Sequence, residues 1–142
     1  MDWGRLANGA SGMGSPPIYS PYSVTVTGVS FTAVSTSEQH SCAVAQNLKG
    51  YCWGAGTFGQ LGSGTANQSY ATLVTSTIVP GGWQSLSAGE YFTCGLSVYG
   101  YLFCFGKNSN GQLGAGTTND ASSPQPLNST SLFSMVSAGR AH

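Results

Sequence analysis

The sequence predicts an all-β chain made of β-propeller blades, about three repeats of 50 to 52 residues that form a partial propeller or a fragment of a larger one. Three observations carry that prediction. The chain matches itself at a fixed offset, each full copy holds two cysteines at one spacing, and no stretch has the periodicity of a helix.

The offset comes first. At a shift of 52, Cys42 falls on Cys94, Cys52 on Cys104, Trp53 on Phe105, Gly54 on Gly106, and GQLGSGT (59–65) on GQLGAGT (111–117). At a shift of 50, Trp3-Gly4 falls on Trp53-Gly54, and Gly9, Gly12 and Gly14 fall on Gly59, Gly62 and Gly64. MVSAGRAH (135–142) lies on SLSAGEYF (85–92), and His142 stands 102 positions beyond His40. The units are therefore a degenerate partial repeat at 1–30, a repeat with Cys42 and Cys52 at 31–82, a repeat with Cys94 and Cys104 at 83–132, and the start of a further, truncated repeat at 133–142. The expectation is a piece of a longer array.

Within a unit, FTAVSTSEQ (31–39) and WQSLSAGE (83–90) mix β-branched, aromatic and small polar residues and read as strands followed by turns. HSCAVA and KGYCWG then read as a hairpin that turns near residues 46–48. Directly opposed hairpin residues share one index sum. Cys42 against Cys52 sets Ala43 opposite Tyr51 and Val44 opposite Gly50, and Cys94 against Cys104 sets Gly95 opposite Phe103 and Leu96 opposite Leu102. Each hairpin thus places a large aromatic over a small residue. Strand alternation puts Tyr51 and Trp53 on one face, and Tyr101, Phe103 and Phe105 on the equivalent face of the next unit, where they are expected to stack unit on unit.

Opposed strand positions lie within the reach of a disulfide, and two pairs in one register favour Cys42–Cys52 and Cys94–Cys104. In the chain-entropy model each bridge stabilises by about 2 to 3 kcal/mol. Free cysteines buried as small hydrophobes are the alternative. A zinc site fits less well, because its short Cys-x2-4-Cys knuckles are missing, and no metal ligand is assigned. Bridges persist in oxidising compartments, so the chain is expected outside the cell or at its surface. The acceptor sequons Asn67-Gln68-Ser69 and Asn128-Ser129-Thr130 make Asn67 and Asn128 glycosylation candidates.

Gly54-x-Gly56-x-x-Gly59 has the spacing of a dinucleotide-binding loop. Its own repeat argues otherwise: the middle glycine becomes Asn108, and a second glycine turn follows where a helix is needed. The glycines that recur, Gly54, Gly59, Gly62 and Gly64 with Gly106, Gly111, Gly114 and Gly116, suit tight turns at positive φ, and Gly56 reads as incidental. Leu61 and Leu113 are expected to plug between blades, and Gln60 and Gln112 to satisfy loop backbone groups.

Charged residues are 6% of the chain, against about 25% in an ordinary domain, and Arg5, Lys49, Lys107 and Arg140 are scattered singly. Nucleic acid is therefore not an expected partner. No apolar run is long enough to span a bilayer, so no membrane insertion is expected in this segment. Nor does a catalytic constellation emerge. Among Asp2, Glu38, Glu90 and Asp120, the pair Glu38 and Glu90 is repeat-equivalent and suggests a turn role; His40, equivalent to Phe92 and His142, suggests packing or a turn. No catalytic residue and no cofactor is assigned, and the chain reads as a non-enzyme.

HSCAVAQNLKGYCWGAGTFGQLGSGT (40–65) and FTCGLSVYGYLFCFGKNSNGQLGAGT (92–117) resemble the repeat of the regulator of chromosome condensation family. The resemblance implies a seven-bladed β-propeller with one GQLG loop per unit. The cysteine-bearing form is similar to secreted versions in bacterial and algal surface proteins and in the ectodomains of crinkly-type plant receptor kinases. That points to an extracellular structural or assembly module, a repeat segment of a surface or filament-forming protein whose partners are copies of itself or neighbouring repeats. The alternative is a binding module that grips a protein or glycan through the loop aromatics Phe58, Tyr70 and Tyr99. A GTPase-regulating propeller, the role of the founding member, is the third reading, and paired cysteines and scarce charge argue against it.

Overall fold

The computed structural model describes residues 24–75 and 77–142. The copy motif at Trp3, Gly4, Gly9, Gly12 and Gly14 lies outside the described residues. Eight strands follow one another: β1 Phe31–Thr36, β2 His40–Ala45, β3 Gly50–Gly54, β4 Gln68–Leu73, β5 Trp83–Ala88, β6 Phe92–Ser97, β7 Leu102–Gly106 and β8 Ala121–Pro126. They form two four-stranded antiparallel sheets in the orders β1-β2-β3-β4 and β5-β6-β7-β8. Each is a plain meander, because every connection between neighbours is short enough to return the chain to the adjacent strand.

The central hairpins have the register given by the index sums. Cys42 pairs with Cys52, Ala43 with Tyr51 and Val44 with Gly50. Cys94 pairs with Cys104, Gly95 with Phe103 and Leu96 with Leu102. Irregularities recur at equivalent places, between Phe31 and Ala33 in β1 and between Trp83 and Ser85 in β5. Extra residues of this kind bend a strand and raise its twist, so both sheets are warped alike.

The second sheet packs through β5 against both β1 and β2, which makes the first strand of each meander the inner one and leaves β4 and β8 as outer edges. On the outer edge of its sheet, β8 carries Pro124 and Pro126, which cannot donate to an added strand. The core between the sheets joins Trp83, Leu86, Phe103 and Phe105 of the second to Cys42, Val44 and Cys52 of the first, closed by Leu61, Val74 and Val79. The aromatic face of one unit therefore covers the disulfide face of the unit before it. Glycine makes this approach possible: a Cβ at Gly50 would stand 2.9 Å from Cδ1 of Trp83.

Tyr101 departs from the expected stacking face. It precedes β7, donates its N–H to Ser97 Oγ in the hairpin turn, and is 46% exposed, whereas Phe103 and Phe105 are buried. Alternation holds only inside a strand, and this strand starts one residue later.

Backbone hydrogen bonds lace the units together at matching positions. Ala88 N–H donates to Ser35 Oγ at 3.0 Å, and Ala138 N–H to Ser87 Oγ at 2.8 Å. Trp83 N–H donates to Leu48 O, Phe133 N–H to Gly100 O and Gly64 N–H to Ser122 O. Among the described residues no helix is long and apolar enough to cross a membrane.

Candidate interaction rims and the seam between the blades

Because the strands are short, most side chains outside the core belong to one of two ends. The β1–β2 and β3–β4 connections and their equivalents, residues 37–39, 55–67, 89–91 and 107–120, share one end. The β2–β3, β4–β5 and β6–β7 connections, residues 46–49, 74–75 with 77–82, and 98–101, share the other.

The first end carries the charge. Glu38, Glu90, Lys107, Asp120 and Arg140 lie there, and of the described charged residues Lys49 alone lies at the opposite end. Ser37, Glu38, Gly89, Glu90, Gly139 and Arg140, drawn from three successive units, line a cleft of about 390 Å³. Arg140 Nε lies 3.0 Å from Glu90 Oε2, and this hydrogen bond holds the guanidinium pKa above its ordinary value. The Arg140 side chain is 85% exposed, so water screens the pair and it contributes little to stability.

Beside this cleft, Lys107 Nζ lies 5.2 Å from the ring centres of both Phe58 and Tyr91. The rings themselves meet edge-on at 5.3 Å. Phe58 is thus committed to a contact across the seam. Tyr70 is exposed on the edge strand β4, and Tyr99 is exposed at the opposite end. The structure does not bring these three aromatics into one platform, because their elements end at different places. It gathers a different set instead: Leu48, Ile78, Tyr99, Tyr101 and Leu132, all exposed, form an apolar rim at the end where Lys49 is the one described charge.

The glycine loop is the joint between units. All eight recurring glycines have positive φ, from 61° at Gly114 to 114° at Gly106. At Gly62 the requirement is doubled, since a Cβ there would sit 2.7 Å from Cε2 of Phe105 in the next sheet. Leu61 and Leu113 are buried in successive cores, and Gln60 and Gln112 accept from the N–H groups of Phe58 and Asn110 through Oε1, at 2.9 Å each.

Gly56 proves less incidental than it reads. Its φ is not positive, but a Cβ would lie 2.7 Å from the carbonyl oxygen of Ala66, so the loop closes on bare backbone. The equivalent Asn108 is fully buried. Its Nδ2 donates to Thr117 O and Asn119 O, and its Oδ1 accepts from Leu113 N–H. Asn67 Oδ1 accepts from Gly56 N–H at 2.8 Å, and Asp120 Oδ1 does the same for Asn108 N–H at 2.7 Å. Asn67 and Asn128 are both exposed.

The seam has a polar centre that sequence reasoning missed. His40, read as packing or a turn, is fully buried and its Nε2 lies 2.7 Å from Thr93 Oγ1 in the other sheet. Thr93 gives its single hydroxyl proton to Gln60 O at 2.8 Å, so the imidazole must be the donor and carries its hydrogen on Nε2. Nδ1 faces Ser37 Oγ at 3.1 Å. Burial pushes the His40 pKa down to about 4. Cys42 Sγ of the bonded pair Cys42–Cys52 lies 3.8 Å from the same Thr93 Oγ1; Cys94–Cys104 is bonded likewise, with Cα atoms 4.1 Å apart in both. Thr93 and Ser41 occupy equivalent repeat positions, which says nothing of a contact across 53 residues.

A four-stranded meander repeated with the same register, inner strand and glycine joint defines a β-propeller blade repeat. The family model described as the regulator of chromosome condensation (RCC1) repeat matches residues 99–142, and a second model of that description matches residues 83–112. Residues 83–142 thus match the RCC1 repeat, and the two sheets have the fold of RCC1-type β-propeller blades. It is 29% identical over 99% of its length to the ultraviolet-B receptor UVR8 of Arabidopsis thaliana, and spans 33% of that protein. Human WBSCR16 superposes with a TM-score of 0.83 at 20% identity, over 97% of this chain and 36% of that one. Prp20p of Saccharomyces cerevisiae, described for its binding to Gsp1p and histones, gives 0.77 at 18% identity, over 97% of this chain and 37% of that one. The chain thus spans about a third of each of these proteins.

Proposed function

We propose that this chain is a non-enzymatic protein-binding propeller module that works outside the cell or at its surface. The observation that carries the reading is the separation of its two ends. Leu48, Ile78, Tyr99, Tyr101 and Leu132 expose large apolar groups at one end, and nearly all described charge sits at the other. Exposed aromatic and aliphatic clusters of this kind are what protein interfaces bury, with tyrosine among the favoured anchors. Prp20p, of the same fold, binds proteins, which supports the same use here. The two bridges support an oxidising compartment, and exposed Asn67 and Asn128 are open to glycosylation there.

The partner proposed is a further copy of this chain or a neighbouring repeat unit. In sedimentation velocity over a rising concentration series, the wild-type chain is expected to associate, and Tyr99→Ser with Tyr101→Ser to remain monomeric. A wild-type chain that stays monomeric throughout sinks the assignment of the rim. Compartment is tested separately, by a non-reducing peptide map of protein alkylated at lysis. Free thiols at all four cysteines would rule out an oxidising location.

One observation favours a second reading, a structural segment of a surface or filament assembly. The aromatic face of one unit covers the disulfide face of the unit before it, a mode of contact that any further unit can repeat.

A further inference from the structure

We propose that His40 makes the seam between the first and second blades acid-sensitive, while the seam that follows the second blade lacks this response. The geometry supplies the argument. His40 opens β2 and reaches across to β6, where Thr93 Oγ1 takes its Nε2–H and passes the chain of donation on to Gln60 O in the glycine joint. One ring therefore ties three segments, the first sheet, the second sheet and the loop between them. At the equivalent position of the second blade stands Phe92, which packs with Leu113, Val136 and Ala138 and has nothing to titrate.

The surroundings of the ring suit a neutral imidazole. Ser37 faces Nδ1 from the β1–β2 turn, Thr93 and Gln60 close the other side, and Cys42 Sγ of the bridge meets Thr93 Oγ1. Burial alone depresses the pKa. Glu38 on the same turn, Glu90 and Tyr91 on the β5–β6 turn and Lys107 beyond β7 are titratable side chains of the packed elements, and none of them is among the causes of the shift. A proton from solvent adds to the Nδ1 lone pair, Ser37 Oγ turns to accept it, and the Ser37 hydroxyl hydrogen moves to His40 O, 3.1 Å away. The hydrogen bonds survive, but a full positive charge is left in a seam where the buried polar groups among the described residues include no carboxylate, which is costly.

The direction follows. The ring binds a proton more readily when the seam is open, at its ordinary value near 6.5, than when it is closed, at about 4. The seam is therefore at full strength above pH 6.5, weakens as pH falls through 6.5 towards 4, and changes no further below that. The opening constant rises about 30-fold by pH 5 and approaches about 300-fold at the limit.

Amide hydrogen exchange on the whole chain reads the two seams separately. Gly64, Trp83 and Ala88 donate across the first seam, and Phe133 and Ala138 across the second. After correction for intrinsic rates, protection at the first set is expected to fall about 20-fold between pH 7 and pH 5, with the second set constant within about threefold. His40→Phe, which installs the residue of the second blade, is expected to remove the difference. Equal loss at both seams, no loss at either, or the same loss in His40→Phe overturns the proposal. Should that variant fail to fold, an NMR titration of the wild-type imidazole decides: a pKa near 4 to 5 supports it, and one at or above 6.5 overturns it.

Discussion

The first and second blades share a meander, a register and a bridge, and differ in how each closes its glycine loop. In the first, the joint closes on backbone: Gly56 lets the Ala66 carbonyl come within a Cβ's distance, and Asn67 holds the Gly56 N–H. In the second, the buried amide of Asn108 bonds three backbone groups, and Asp120 replaces Asn67. Two chemistries give one loop shape. Hydrogen-bond satisfaction is therefore what the fold demands at this position, and the residue that meets it can change with its partners.

Four substitutions sharpen or break this comparison. The largest effect is expected at the aromatic that opens each blade. Trp83→Ala empties a fully buried site in the shared core and should cost about 3 to 5 kcal/mol in urea unfolding, whereas Phe31→Ala, at the half-buried equivalent, should cost less than half of that. Equal losses would mean that the two blades are equally packed. Next, Asn108→Gly gives the second loop the residue of the first and strands the Leu113 N–H and two carbonyls, at about 2 to 3 kcal/mol. A neutral result would show that backbone closure alone serves either loop.

Smaller differences are expected at the glycines. Gly59 and Gly111 have φ of 85° and 73°, but a Cβ on Gly59 meets the backbone of Ser122 at 2.5 Å and one on Gly111 meets nothing. Gly59→Ala should therefore lower the thermal midpoint clearly more than Gly111→Ala, by the equivalent of about 2 kcal/mol beyond the shared backbone strain. The smallest effect belongs to Lys107→Ala, which restores the residue type found at Ala55 in the first blade and removes the ammonium between two rings. It is worth about 0.5 to 1 kcal/mol, and a loss several times larger would assign Lys107 a structural role.

The repeat made much of this architecture readable in advance. Index sums gave both hairpin registers because antiparallel pairing fixes every partner once one pair is known, and two copies provide two tests of it. What escaped was contact between units. His40 looked like filler because its partner Thr93 is 53 residues away, and no local period reports a bond of that span. Gly56 looked dispensable since its repeat holds asparagine, yet the neighbouring Ala66 carbonyl had moved in to use the space. Tyr101 was placed by an alternation that had not yet begun, and the apolar rim was invisible because Leu48, Ile78, Tyr99 and Leu132 are neighbours only once the turns are laced together.

The bridges bear on how the chain oxidises. Four cysteines can pair in three ways. Each native partner is ten residues away and opposite in a hairpin, and such a hairpin closes in about 1 to 10 μs, long before contacts spanning some fifty residues are made. The thiols of one blade are thus brought together before those of the next can compete. Each hairpin register then keeps its own two thiols opposite each other whenever the slower oxidation arrives, so crossed species such as Cys42 with Cys94 would have to form by undoing a hairpin.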